Sequence, residues 1–180
     1  TFDGVVGTSI GALNGALIAQ GDVDRAYELW QNISAKMLFG LPDKSWSDII
    51  GDGIQMKEVP ELMKTFSGIL KKKGIDKSEI KKLLTEVIDE KKLRESPMDF
   101  GFVTYSLTDL KSLEFFKEDV PDNMMVDYIV ASENLPVFQI EKTEGKILLD
   151  GGVYDNLPAQ LLTKKGYKDL VLIRTFAVGR

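Results

Sequence analysis

The chain has 180 residues, of which 43% are hydrophobic and 28% charged, so we expect one globular domain over residues 1–180 and exclude a disordered or collagen-like chain. It contains no cysteine and no histidine, which excludes disulfides, a thiolate nucleophile and a Ser-His-Asp triad within this chain. The net charge of −5 argues against a nucleic-acid-binding protein.

The N-terminal region predicts a strand, a tight turn and a helix. Residues 2–6 form a short apolar, β-branched run, and residues 12–19 are rich in alanine and leucine. Apolar side chains then recur at helical spacing over residues 24–35 and predict a second helix. Because the chain opens inside a core strand and without methionine, we expect that the first part of the domain is missing from it.

The middle of the chain predicts a loop and two helices. Residues 37–55 contain several glycines and one proline and predict a loop, which could serve as a lid or be an ordinary surface excursion. Residues 59–73 and 78–93 predict helices separated by Gly74. Residues 64–94 carry 10 Lys and Arg against 5 Asp and Glu. This Lys-rich segment indicates a solvated helical face, with contact to an anionic membrane surface as the alternative.

The C-terminal half alternates strands and helices, which is typical of an α/β fold with a mostly parallel central sheet covered on both faces. Residues 124–132 and 157–165 predict helices. The strands are expected at residues 100–107, 112–116, 146–149 and 170–176, the second pairing with the first across a turn.

The most informative motif is G-x-S-x-G at residues 7–11, placed between a strand and a helix. There it predicts a nucleophile elbow, in which Ser9 is exposed at the sheet edge while Gly7 and Gly11 prevent clashes. The N–H of Ile10, at the start of the following helix, would then stabilise an oxyanion. A structural glycine-rich turn or a phosphate-binding loop are the alternatives for this motif alone.

Asp150 is the candidate base that such a serine needs. It ends the apolar strand at 146–149 and precedes Gly151 and Gly152, which allow close approach of the backbone. Desolvation at the end of a buried strand would raise its basicity. The alternative for residues 150–152 alone is an ordinary β-turn. A triad with a histidine upstream is disfavoured, because α/β-hydrolases place the histidine after the serine.

Three segments together resemble the patatin-like phospholipase family: Gly-Thr-Ser-Ile-Gly-Ala at 7–12, Ala-Ser-x-x-Leu-Pro at 131–136 and Asp-Gly-Gly-Val-Tyr-Asp-Asn-Leu-Pro at 150–158. The resemblance implies a three-layer α/β/α fold and hydrolysis of acyl esters of lipids, of the phospholipase A or lysophospholipase kind, with no metal or organic cofactor. It implies Ser9 as nucleophile and Asp150 as base. Two departures are the absence of the family's glycine-rich oxyanion loop, which would lie upstream, and the polar pair Glu133-Asn134.

Two functions from different classes remain open from the sequence. One is a serine acyl hydrolase acting on a lipid or other acyl-ester substrate, and the other is a non-catalytic lipid-binding or interaction module on the same fold. No run of 18 apolar residues and no secretory signal is visible. We therefore expect a cytoplasmic or peripheral-membrane location.

Overall fold

The computed structural model describes residues 2–32, 77–134, 139 and 142–174. The helices and strands predicted over residues 2–35 and 100–165 are present, with their described ends shifted by up to two residues, while the predictions at 37–55 and 59–73 lie outside the described residues. In chain order the elements are β1 (Gly4–Thr8), α1 (Ile10–Ala19), α2 (Val23–Asn32), α3 (Ser78–Val87), α4 (Glu90–Glu95), β2 (Asp99–Ser106), β3 (Lys111–Phe116), α5 (Met125–Ser132), β4 (Lys142–Thr143), β5 (Lys146–Asp150), a 3₁₀ turn (Gly151–Val153) and α6 (Ala159–Lys164).

Strand β2 is the centre of the sheet. On one edge it pairs with β3. On the other edge it pairs first with β1, ending at Thr8 opposite Val103, and then with β5, ending at Asp150 opposite Thr104. Strands β1 and β5 therefore lie end to end along the same edge of β2. Their C-terminal ends face each other, because β1 runs parallel and β5 antiparallel to β2.

The sheet is mixed. The β1–β2 pair is parallel as expected, whereas β2–β3, β2–β5 and β4–β5 are antiparallel in the described part of the sheet. Two of these pairs are hairpins closed by short turns, at residues 107–110 and 144–145. A turn this short can join only antiparallel strands, because a parallel pair requires a long crossover. The α/β class is as predicted, and the sequence pattern underestimated its antiparallel share.

Helices cover both faces of the sheet, in agreement with a three-layer α/β/α arrangement. A Cβ atom built on Gly15 of α1 would lie 3.5 Å from Val5, so α1 covers the face to which Val5 points. A Cβ atom on Gly4 would lie 2.9 Å from Leu162 of α6. Since successive strand residues point to opposite faces, α1 and α6 lie on opposite sides of β1. The main hydrophobic core lies on the α1 side and includes Leu17, Phe100, Phe102, Met125 and Ile129.

The helix predicted over residues 78–93 is two helices, α3 and α4. The carboxylate of Asp89 caps α4 by accepting from the N–H of Lys92 at 3.0 Å. The side-chain amide of Gln20 fills the break, donating to the carbonyl of Val87 at 2.8 Å and accepting from the N–H of Asp89 at 3.1 Å. A long-range side chain thus satisfies the backbone groups that the interruption leaves without helical partners.

The strand predicted at residues 170–176 is wrong over its described part, since residues 170–174 have no regular structure. Val171, Leu172 and Ile173 are 71%, 56% and 83% exposed. The apolar run was the only signal for this strand, and a strand also needs backbone partners. None of the described strands pairs with this segment.

Candidate active site

Ser9 lies in the turn between β1 and α1 and has φ 57° and ψ −130°. L residues rarely adopt such a conformation, which costs about 1–3 kcal/mol and is concentrated at functional sites. The carbonyl of Ser9 accepts from the N–H of Ala12 at 2.7 Å, which starts α1. The Ser9 side chain makes no capping hydrogen bond to the helix, so its hydroxyl remains available for another partner.

The two glycines of the G-x-S-x-G motif differ in their surroundings. A Cβ atom on Gly7 would lie 2.1 Å from the carbonyl oxygen of Gly11, so no side chain fits at residue 7. A Cβ atom on Gly11 would meet no described heavy atom within 4 Å. The clash-avoiding role predicted for both glycines therefore applies to Gly7, and the sterics around Gly11 do not require a glycine.

Ile10 is the first residue of α1 and follows Ser9 directly. The N–H groups in the first turn of a helix have no intrahelical acceptor, and the helix dipole adds partial positive charge there. The N–H of Ile10, the predicted oxyanion donor, therefore lies at the N-terminal end of α1, next to Ser9. Its use in a reaction stays a prediction.

Asp150 is the last residue of β5 and is 4% exposed. Its N–H donates to the carbonyl of Asn134 at 2.8 Å, and its Oδ1 accepts from the N–H of Gly152 at 2.7 Å. A Cβ atom on Gly151 would lie 2.2 Å from the carbonyl oxygen of Val103, so this glycine permits close approach to β2. A Cβ atom on Gly152 would lie 3.0 Å from Oδ1 of Asp150.

The head-on arrangement of β1 and β5 brings Ser9 and Asp150 together. Thr8 pairs with Val103 and Asp150 with Thr104, so the two turns leave neighbouring positions of β2. Burial raises the pKa of the Asp150 carboxyl, and hydrogen bonding from the Ser9 hydroxyl and the N–H of Gly152 offsets part of this rise. The site therefore pairs a hydroxyl with a carboxylate that is more basic than usual.

Two buried polar groups beside Asp150 were not identified as functional from the sequence. Burial and the charge of Asp150 raise the pKa of Glu133 to about 8. The Oε1 atom of Glu133 and the Oγ1 atom of Thr104 are buried, with no hydrogen-bond partner in the described structure. The only signal for Glu133 in the sequence is the polar pair that it forms with Asn134, and no pattern points to Thr104.

The basic segment at 64–94 is described only from residue 77 onward. Four of its cations form ion pairs within the chain, in agreement with a solvated and charge-paired helical face. These pairs are Lys81 with Asp127, Lys91 with Glu95, Lys92 with Asp22, and Arg94 with Glu90. A cavity of about 360 Å³ lies beside α3 and α5, and neither Ser9 nor Asp150 lines it.

Neither a metal cluster nor a membrane-spanning helix was found in the described parts of the chain. No group of three or more acidic side chains there could hold a metal ion. Every helix there is too short or too polar to cross a bilayer.

The fold and this site define an α/β protein that carries a serine on a strained strand-to-helix turn beside a buried aspartate. The family model described as Patatin-like phospholipase matches residues 1–163, and the chain belongs to this family. The family resemblance and the fold expected from it are thereby confirmed, and membership supports a lipid acyl hydrolase at the family level.

The chain is similar to solved structures as well. The crystal structure of VipD from Legionella pneumophila is 15% identical with a TM-score of 0.48, and the match covers 86% of this chain and 41% of that one. The chain thus spans less than half the length of this similar protein. No curated protein matches the chain.

Proposed function

We propose that the chain is a serine acyl hydrolase that cleaves fatty-acyl esters of lipids through a Ser9–Asp150 dyad. The observation that carries the proposal is that the turns bearing Ser9 and Asp150 leave neighbouring positions of β2, with the Ser9 hydroxyl among the groups that affect the pKa of Asp150. Further support comes from the Ser9 hydroxyl, which is not used as a helix cap, and from the raised pKa of Asp150. The chain contains no histidine that could act as the base instead.

The proposed reaction has two steps. In the first, Asp150 takes the hydroxyl proton of Ser9 while Ser9 Oγ attacks the acyl carbonyl, and the alcohol then leaves with the proton from Asp150. In the second, Asp150 takes a proton from water as the water oxygen attacks the carbonyl of the acyl-enzyme, and this proton then passes from Asp150 to Ser9 Oγ as the fatty acid leaves. The N–H of Ile10 stabilises the oxyanion in both steps. Asp150 must be ionised, so turnover falls as the pH drops through its raised pKa.

Apolar side chains near the two turns support a lipid acyl chain as substrate. Ile10 follows Ser9 directly and is 40% exposed, while Val153 and Tyr154 follow the Asp150 turn and are 59% and 67% exposed. An acyl chain would cover such side chains and gain about 25 cal/mol for each Å² of apolar surface removed from water. Family membership points to the same substrate class.

The test uses the protein at its natural length with an organophosphorus probe that labels activated serines. We expect intact-mass analysis to show one adduct, and peptide mapping to place it at Ser9. Ser9→Ala is expected to abolish the adduct, and Asp150→Asn to slow labelling and ester hydrolysis by about 10³-fold or more, because the hydroxyl loses its base.

The matched control is Asp109→Asn. Asp109 also follows a strand, β2, and its carboxylate binds Lys146 at 2.7 Å, but it lies away from the two turns. This variant should label and hydrolyse at the wild-type rate. Unlabelled, folded wild-type protein would contradict the proposal and favour a non-catalytic lipid-binding module, and rapid hydrolysis by Asp150→Asn would contradict the role of Asp150.

A further inference from the structure

A three-residue segment at the end of α5 contacts both turns of the candidate site. Ser132 is fully buried, and its Oγ accepts from the N–H of Ser9 at 3.0 Å. Two residues later, the carbonyl of Asn134 accepts from the N–H of Asp150 at 2.8 Å. The chain distance from Ser9 to Ser132 is 123 residues, so no local pattern connects them.

The Ser132 hydroxyl accepts one hydrogen bond and donates another. Besides accepting from Ser9, it donates to the carbonyl of Val103 at 2.7 Å. Val103 is the β2 residue opposite Thr8, where β1 ends. Ser132 therefore ties the backbone of the strained Ser9 turn to the sheet position from which that turn departs. A backbone held in a sparsely populated conformation persists only where its surroundings enforce it.

Asn134 fixes the other end of the segment to β5. Its Nδ2 donates to the carbonyl of Leu148 at 2.6 Å, and its Oδ1 accepts from the buried Lys77 ammonium at 3.2 Å. Asn134 is itself 3% exposed. The segment from Ser132 to Asn134 is thus anchored at both ends, with the nucleophile turn on one side and the aspartate turn on the other.

We infer that Ser132 is a positioning residue that holds the Ser9 backbone in its strained conformation and thereby keeps the Ser9 hydroxyl directed at Asp150. This inference rests on the proposed function for its effect on turnover. Its effect on the backbone of Ser9 does not depend on that function. Ser132 contacts no reacting atom, since its partners are the backbone N–H of Ser9 and the carbonyl of Val103.

The test compares Ser132→Ala with Ser106→Ala. Ser106 is a good control because it is also fully buried, lies on β2, and has a hydroxyl that both donates to Asp109 Oδ2 and accepts from the N–H of Asp109, each at 3.0 Å. Its partners lie outside the two turns. Two quantities are measured in each folded variant: hydrogen exchange of the Ser9 amide, and kcat and KM for a short-chain ester.

Ser132→Ala should speed exchange of the Ser9 amide by about 10-fold or more, because the half-buried N–H loses its acceptor. It should also lower kcat by about 10-fold or more while leaving KM nearly unchanged, since misplacement of the nucleophile affects the chemical step. Ser106→Ala should change neither quantity. Equal effects of the two variants, or unchanged Ser9 exchange in Ser132→Ala, would overturn the inference.

A second variant covers the case in which Ser132→Ala does not fold. Ser132→Cys keeps nearly the same volume with weaker hydrogen bonds, and the same two changes are expected at smaller size; their absence overturns the inference. If the wild type neither hydrolyses esters nor reacts with the probe, the proposed function fails. Exchange of the Ser9 amide then still decides whether Ser132 holds the Ser9 turn.

Discussion

The turns that carry Ser9 and Asp150 are both closely packed at a glycine, but they differ in backbone strain and in the electrostatics of their side chains. The Ser9 turn has a positive φ of 57°, and its neighbour Gly7 is packed against backbone that leaves no room for a side chain. The Asp150 backbone is ordinary, with φ −49° and ψ 127°. Burial instead raises the pKa of its carboxyl group, and hydrogen bonds offset part of this rise.

This difference indicates that the Ser9 turn places the nucleophile and the Asp150 turn sets the pKa of the base. A nucleophile must be placed accurately, and steric packing of the backbone does this without altering the chemistry of the hydroxyl. A base must have a suitable pKa, and burial supplies this without strain in the backbone. Substitutions that change charge should therefore act mainly through the Asp150 turn. Substitutions that change shape should act at both turns, since Gly151 is packed as closely against β2 as Gly7 is against α1.

The largest effect is expected from Gly7→Ala. The added methyl would lie 2.1 Å from the carbonyl oxygen of Gly11, so β1 and α1 must move apart. We expect the free energy of unfolding to fall by about 3 kcal/mol or more. Urea denaturation followed by circular dichroism measures this loss, and a variant as stable as the wild type would show that the turn is not tightly packed.

An intermediate effect, dependent on pH, is expected from Glu133→Gln. In the folded protein burial and the charge of Asp150 raise the pKa of Glu133 from 4.5 to about 8. A raised carboxyl pKa contributes stability at low pH that is lost as the pH rises from the unfolded value through the folded one. The wild type should therefore lose stability between about pH 4.5 and pH 8 through this group, whereas the Glu133→Gln variant, which has no carboxyl there, should not.

Thermal unfolding at several pH values measures this difference. The Tm advantage of Glu133→Gln over the wild type should be several °C larger at pH 8.5 than at pH 4, since about 1 kcal/mol corresponds to roughly 2–4 °C for a chain of this size. A difference in Tm that does not change with pH would show that Glu133 titrates normally.

The smallest effect is expected from Gly11→Ala. A methyl group at this position meets no described atom within 4 Å, and alanine favours a helix over glycine by about 1 kcal/mol. We expect equal or slightly higher stability and a labelling rate at Ser9 within a factor of about 3 of the wild type. Destabilisation comparable to that of Gly7→Ala would remove the contrast between the two glycines.

Local features of the site could be predicted from the sequence, and contacts between distant segments could not. The order strand, Ser9, helix follows from residues 2–19 alone, and the end of a strand at Asp150 follows from residues 146–152. The meeting of the two turns depends on the register of both strands with β2, which no pattern in the sequence specifies. The contact between Ser132 and Ser9 is likewise a product of the fold, although the resemblance had marked residues 131–136.

The errors in the fold have the same origin. The sequence predicts one helix over residues 78–93, whereas the structure has two helices with a break before Glu90. Asp89 can be recognised in the sequence as a helix-capping residue. The contact of the Gln20 amide with the backbone at the break cannot be recognised there. The apolar run from residue 170 predicts a strand on composition alone. Its described part has no strand partner.

Because β1 and β5 share one edge of β2, the distance between Ser9 and Asp150 depends on where each strand pairs with β2, a strand that contributes neither group. Sliding of β5 by one position would displace Asp150 by about 3.3 Å and turn its side chain to the opposite face of the sheet. The site is thus sensitive to slippage between strands more than to bending of the sheet. Any insertion or deletion at Val103–Thr104 would therefore change the distance between the Ser9 turn and the Asp150 turn.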